Sequence, residues 1–203
     1  MFTGGPVIEL TLASASPARY ALLCQLGISC MQLPTHADES SSETDPKSLT
    51  RLLARRKLAA CLKEHPHAGR GIILAADTVV TLGEQIIGKA ESRKEASGYL
   101  TSLSGAVHRV VTGYAVHLPS TEEVHIGSAV TEVTFHDLSQ DEIDAYLDSG
   151  EWEHAAGAYR IQGRGGLFVR DIQGSFWNIV GLPIEEIFGI IRVQVYPHVV
   201  KGP

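Results

Sequence analysis

The chain has 203 residues, of which 44% are hydrophobic and 20% charged, and a net charge of −6 at pH 7. That length suits one sizeable domain or two small lobes sharing a core, and the acidic balance excludes a general nucleic-acid binder, which carries a basic footprint. The three cysteines, Cys24, Cys30 and Cys61, show no CxxC spacing, which speaks for reduced thiols and against a disulfide framework or a zinc site.

Val7 to Ala13 alternates apolar and polar residues, the pattern of a strand. It runs into Ser14-Ala15-Ser16-Pro17, where Ser16 is a good N-cap, Pro17 fits the first helical position and Gly27 can close the helix after Leu26. A strand, a hydroxyl-bearing turn and a helix tip can hold a phosphate, with Ser14, Ser16 and Arg19 as added donors. By itself the pattern is weak, because most capped helices bind nothing. A short strand follows at Ile28 to Leu33, then a polar loop from Thr35 to Pro46 with Asp38, Glu39, Glu43 and Asp45. A helix is expected from Ser48 to Glu64, with Leu49, Leu52, Leu53 and Ala60 near one face and Arg51, Arg55, Arg56 and Lys57 making it basic.

Ile72 to Val80 is a continuous apolar run rich in β-branched residues, which reads as a strand buried on both faces. It delivers Asp77 and Thr78 where its most apolar part ends. A carboxylate there either faces water at the strand's end or belongs to a site where a cation meets it. Gly83-Glu84 suits a hairpin turn, and the return strand Ile86-Ile87 ends at Gly88-Lys89. Ser92 with Glu95 predicts a capping box for a helix reaching Leu103. Val107 to Leu118 and Val124 to Phe135 predict a long antiparallel pair, and Ser139 with Glu142 a second capping box for a helix that Gly150 stops. Beyond Glu151 glycines punctuate a stretch holding Tyr159, Gln162, Arg164, Phe176, Trp177 and Asn178. Leu182-Pro183 then opens a last helix. No apolar run reaches membrane-spanning length, and Met1 to Pro6 lack the features of a signal peptide, so a soluble cytoplasmic setting is expected. Without an internal repeat or linker, 1–203 is read as a single domain.

Several ordered motifs together are more specific than any of these signals. Leu12-Ala13-Ser14-Ala15-Ser16-Pro17-Ala18-Arg19, Asp38-Glu39, Leu53-Ala54 through Lys57, Ala76-Asp77-Thr78-Val79-Val80, Leu103-Ser104-Gly105 through Thr112-Gly113, Ala156-Gly157-Ala158-Tyr159-Arg160-Ile161-Gln162-Gly163 and Val180-Gly181-Leu182-Pro183 resemble the signatures of the Maf family of nucleoside triphosphate pyrophosphatases. The resemblance implies an elongated two-lobed α/β fold of the inosine triphosphate pyrophosphatase type, a mixed sheet flanked by helices with a central cleft. It implies metal-dependent hydrolysis between the α and β phosphates, a homodimer, and Asp77 as the catalytic acid/base. Thr78 and Gln162 fall where members acting on dTTP and UTP differ from those acting on 7-methyl-GTP. Ala18 departs from the family's first arginine, and Ala90 from a proline.

The chemistry fits this implication. Attack of water on a triphosphate needs neutralised phosphoryl charge and an oriented water. Asp77 and Glu39 offer hard ligands for Mg²⁺ or Mn²⁺, and Arg19, Lys57 and Lys89 are the cations expected on the phosphates. The carboxamide of Gln162 matches the donor and acceptors of uracil or thymine. His108 is read as a structural, hydrogen-bonded histidine beneath the site. Two rivals stand beside the pyrophosphatase of dTTP and UTP: the same enzyme with another base preference, and a nucleotide-binding regulatory module tied to septum formation.

Overall fold

The computed structural model describes residues 10–195, so the expected strand start at Val7 lies outside the described residues. In chain order the elements are β1 (Leu10–Leu12), α1 (Pro17–Gln25), β2 (Cys30–Gln32), α2 (Pro46–Glu64), β3 (Ile72–Leu82), β4 (Gln85–Ile87), α3 (Arg93–Leu103), β5 (Val107–Leu118), β6 (Glu123–Phe135), α4 (Gln140–Leu147), β7 (Val169–Gln173), α5 (Phe176–Val180) and α6 (Ile184–Val195). Short 3-10 helices lie at Pro66–Arg70 and Arg164–Phe168. The strands form one open mixed sheet in the order β2-β1-β3-β5-β6-β7, with β4 added to the free edge of β3.

The buried apolar run expected at Ile72 is the spine of this sheet. Its side chains alternate between two covered faces. Ile72, Leu74 and Ala76 pack with Leu22, Leu23, Leu182 and Ile187, whereas Ile73 and Ala75 pack with Ala54, Leu58 and Cys61 of α2. Further along, Val80 joins a separate cluster with Leu100, Leu103, Phe135, Ile143 and Tyr146, which belongs to α3, α4 and the distal strands. Two apolar clusters at opposite ends of one face give the molecule its two lobes.

The gap between the lobes follows from strand lengths. β5 accompanies β3 continuously from Ile73 to Thr81. On the opposite edge β1 pairs only Ile72 to Leu74, and β4 rejoins only at Val80 to Leu82. Residues 75–79 of β3 therefore have a strand on one side and a cleft on the other. Asp77 and Thr78 sit in the middle of that opening.

α2 is pressed onto the sheet over this point. Gly113 of β5 stands opposite Asp77, and a Cβ there would lie 2.2 Å from the carbonyl carbon of Thr50, so only glycine lets the helix come this close. The buried stripe of α2 is Thr50, Leu53, Ala54, Leu58 and Cys61. Lys57, two turns from Thr50, belongs to the same stripe. The expected face through Leu49, Leu52 and Ala60 is rotated away from this, and those three are half-buried. The helix also begins earlier than Ser48, because Asp45 accepts from Ser48 N at 2.8 Å and Pro46 takes the first turn.

Two further local expectations change. α4 has its complete capping box. At α3 Ser92 accepts from Glu95 N, but the Glu95 carboxylate turns to Glu91 N and the Tyr99 hydroxyl, leaving the reciprocal half unmade. β7, which closes the sheet beyond β6, was not anticipated. None of the described helices is long and apolar enough to cross a membrane.

Candidate active site

The cleft at residues 75–79 is a cavity of about 520 Å³, and all nine expected site residues line it: Ser14, Ser16, Arg19, Glu39, Lys57, Asp77, Thr78, Lys89 and Gln162. They arrive from both lobes. The turn after β1 and the tip of α1 bring the serines and Arg19; β3 brings Asp77 and Thr78; and the segment after β4 brings Lys89.

Arg19 is the most tightly held of them, 8% exposed. Its Nε donates to the Gly181 carbonyl at 2.9 Å, Nη1 to Ser14 Oγ at 3.1 Å and Nη2 to Thr78 Oγ1 at 2.8 Å. Thr78 Oγ1 is in turn 2.9 Å from Thr112 Oγ1, which donates to the Asn178 carbonyl at 3.1 Å. Every partner is neutral, and no carboxylate among the described residues pairs with this guanidinium. Burial pushes its pKa down, against the pull of the charges on Asp77 and Glu39. A buried cation with only neutral partners is an anion site in waiting. Gly181 makes the approach possible: at φ +115° it occupies a conformation that side chains avoid, and a Cβ would sit 3.0 Å from Arg19 Nε.

Ser16 is the expected N-cap, and Ser14 is taken up by Arg19. Ser14 Oγ accepts from Arg19 and from Ser16 N, and Ser16 Oγ caps Arg19 N. Pro17 takes the first helical position as expected and has no N–H to offer at the tip of α1. Each hydroxyl retains a hydrogen to donate. Ala18, half-buried, forms part of the cavity wall.

Lys57 is found on the carboxylates. Its Nζ lies 2.5 Å from Asp77 Oδ1 and 3.0 Å from Glu39 Oε1, and its side chain is only 13% exposed. Burial raises the Glu39 carboxyl, but the Lys57 hydrogen bond and charge, with Lys89 and Arg19 farther off, hold it below its ordinary range. Two carboxylates already converging on one cation fit a hard divalent ion that keeps several waters and uses one or two carboxylates. Among the described residues no group of three or more acidic, histidine or cysteine side chains forms a closed metal cage. The donor set offers such an ion the two carboxylates of Glu39 and Asp77.

The opposite wall carries Val80, Val110, Tyr159, Ile161, Ile179 and Val180. Tyr159 is fixed from behind by His108, whose Nε2 is 2.9 Å from the tyrosine hydroxyl, and the two rings meet edge to face. Burial lowers the His108 pKa to about 4 and raises that of Tyr159. Lys89 and Gln162 are exposed at the rim, and Lys89 bridges to Ala156. The backbone partners of Arg19 at Gly181 and of Thr112 at Asn178 carry no side-chain signal in the sequence, although Val180-Gly181-Leu182-Pro183 stands out as a motif.

Fold and site define an open mixed α/β protein whose sheet is interrupted by a cleft lined by Arg19, Lys57, Asp77 and Glu39. The chain belongs to the family described as Maf-like protein, whose model matches residues 9–194. It is 44% identical over 194 residues to the dTTP/UTP pyrophosphatase of Maricaulis maris, covering 95% of this chain and 91% of that one. It is 43% identical over 179 residues to the dTTP/UTP pyrophosphatase of Thermococcus kodakarensis, with 88% and 93% covered. Against the dTTP/UTP pyrophosphatase of Agrobacterium fabrum it is 42% identical over 188 residues, with 90% of each chain covered. The family read from the motifs is thus confirmed.

Proposed function

We propose that the protein is a nucleoside triphosphate pyrophosphatase that hydrolyses the α–β anhydride of dTTP and UTP to the nucleoside monophosphate and pyrophosphate. The observation that carries this reading is the juxtaposition, in one cavity, of Lys57 bridging Asp77 and Glu39 with the buried Arg19 that has only neutral partners. Its relatives' names support the substrate pair.

In this reading Arg19 receives the phosphate chain without having to be ordered first, since three of its nitrogens are already fixed. Ser14 and Ser16 donate their hydroxyl hydrogens to phosphate oxygens, and Lys89 meets the tail at the rim. Thr78 and Thr112 keep the guanidinium in register. Asp77 engages Lys57 through Oδ1, and its Oδ2 orients a water and takes its proton as that water attacks the α-phosphorus and pyrophosphate leaves. Glu39 and Asp77 would hold Mg²⁺ or Mn²⁺, which supplies charge neutralisation on the phosphoryl oxygens. Gln162 reads the base edge. The two lobes act as one catalytic unit because each supplies part of the cavity. The setting this implies is a cytoplasmic homodimer with a house-cleaning or division-linked role.

Ala18 favours a second reading within the same class. A small residue on the cavity wall leaves space for a different or modified base, such as that of 7-methyl-GTP. A panel of nucleoside triphosphates with Mg²⁺ or Mn²⁺, monitored for pyrophosphate, separates these. Release from dTTP and UTP supports the proposal. Preference for another base supports the second reading, and no turnover of any nucleotide returns the protein to a regulatory module.

A further inference from the structure

Resting on the site role proposed for Glu39, we infer that Arg56 is a positioning residue that holds Glu39 in the cleft through the backbone of its loop. Arg56 does not line the cavity. Its Nη1 donates to two carbonyls, that of Asp38 at 3.1 Å and that of Ser40 at 2.6 Å. These are the residues on either side of Glu39. The turn between them is fixed a second time by Asp38, whose Oδ1 accepts from Ser40 N at 2.9 Å and from Ser40 Oγ at 2.6 Å.

The arrangement makes physical sense of an otherwise weak link. Glu39 has a side chain 55% exposed on a loop without regular structure, yet its Oε1 stands 3.0 Å from Lys57 Nζ. A loop carboxylate with that exposure would ordinarily sample many positions, and a lone exposed ion pair does little to restrain it. Arg56 and Lys57, consecutive on α2, divide the work: one grips the backbone around residue 39, the other its carboxylate. Because the guanidinium reaches both carbonyls with one nitrogen, the peptide plane before Glu39 and the one after Ser40 are oriented together, and the Asp38 carboxylate holds the plane between Glu39 and Ser40 through Ser40 N. The charge itself is secondary, since the acceptors are neutral.

The test compares Arg56→Ala, Arg56→Lys, Glu39→Ala and the double variant Arg56→Ala/Glu39→Ala, in steady-state hydrolysis of dTTP with Mg²⁺ and in amide hydrogen exchange of the free protein. Arg56→Ala is expected to lower kcat/KM about tenfold, the lower end of what losing the support of a metal-binding carboxylate costs. Arg56→Lys, which retains the donors, recovers most of that loss. On the Glu39→Ala background the Arg56→Ala change adds no further loss, and in the free protein exchange at Ser40, whose N–H bonds Asp38 Oδ1, accelerates in Arg56→Ala. Full activity of Arg56→Ala alongside an impaired Glu39→Ala overturns the inference alone. So does an equal loss on both backgrounds, or unchanged exchange in the loop. A fully active Glu39→Ala overturns it together with the role proposed for Glu39.

Discussion

Lys57 Nζ and Asp77 Oδ1 meet at 2.5 Å, joining the buried stripe of α2 to the one stretch of β3 whose edge carries no strand. The pairing puts a cation where the chemistry calls for one, and it rests on Gly113, which lets α2 lie against the sheet. Replacing the lysine isolates two carboxylates that face each other. Lys57→Met is expected to lower stability by about 1–3 kcal/mol, below the cost of breaking a fully buried pair because Glu39 is partly solvated. Added Mg²⁺ should then raise the melting temperature of Lys57→Met more than that of the parent, because an ion filling the place between the carboxylates binds only the folded state. Thermal melts with and without Mg²⁺ check both points.

Arg19 depends on geometry that only glycine at residue 181 allows. Gly181→Ala places a methyl 3.0 Å from Arg19 Nε on a backbone at φ +115°, with an expected cost of about 1–3 kcal/mol in stability. Arg19→Lys retains the charge but cannot reach Gly181, Ser14 and Thr78 together. Both changes should weaken pyrophosphate binding at least about tenfold by calorimetry, because a bidentate, pre-oriented guanidinium is replaced by a displaced or single-point donor.

The buried imidazole of His108 gives the fold an acid sensitivity. Its pKa is lowered by burial to about 4 from an ordinary 6.5, so between those values the unfolded chain binds a proton that the folded one does not. Stability therefore falls as pH drops through that window, at up to about 1.4 kcal/mol per pH unit for this one group, and levels off below the folded pKa. Chemical denaturation from pH 7 to pH 4 should show this slope in the parent. His108→Gln, which has no proton to gain, should lose it.

Base preference is expected to reside on the exposed wall. Gln162→Ala should reduce kcat/KM for UTP and dTTP by about tenfold, far short of the ~10⁴ discrimination of a fully enclosed polar site, because Gln162 is solvent-exposed. Ala18→Arg adds a guanidinium beside Arg19 and should tighten triphosphate binding while narrowing the range of accepted bases. Competition kinetics with a mixed nucleotide pool checks both variants.

Much of this was legible in the sequence. Ser16-Pro17 announces the start of α1, Gly83-Glu84 the hairpin, and the apolar run ending at Asp77-Thr78 the spine of the sheet. These signals are local, set by capping, turn chemistry and side-chain period. β7 was missed because Val169-Arg170-Asp171-Ile172-Gln173 is a sheet-edge strand with three exposed polar residues and no clean alternation. The partners of Lys57 were missed because they depend on how far α2 rotates, and its inward stripe is recruited around Thr50 by a glycine on another strand. Glu39 was visible as part of an acidic loop, yet its place in the cleft is fixed by bonds from Arg56 to backbone carbonyls, which composition cannot show.

Whether Asp77 directs water onto the α-phosphorus is read from hydrolysis of dTTP in ¹⁸O-labelled water, with the products followed by ³¹P NMR. Label is expected in dTMP and none in pyrophosphate. Asp77→Asn should lose at least about 10³-fold in kcat while remaining folded and able to bind dTTP. Label in the pyrophosphate, formation of dTDP and orthophosphate, or near-parental turnover by Asp77→Asn would contradict that role.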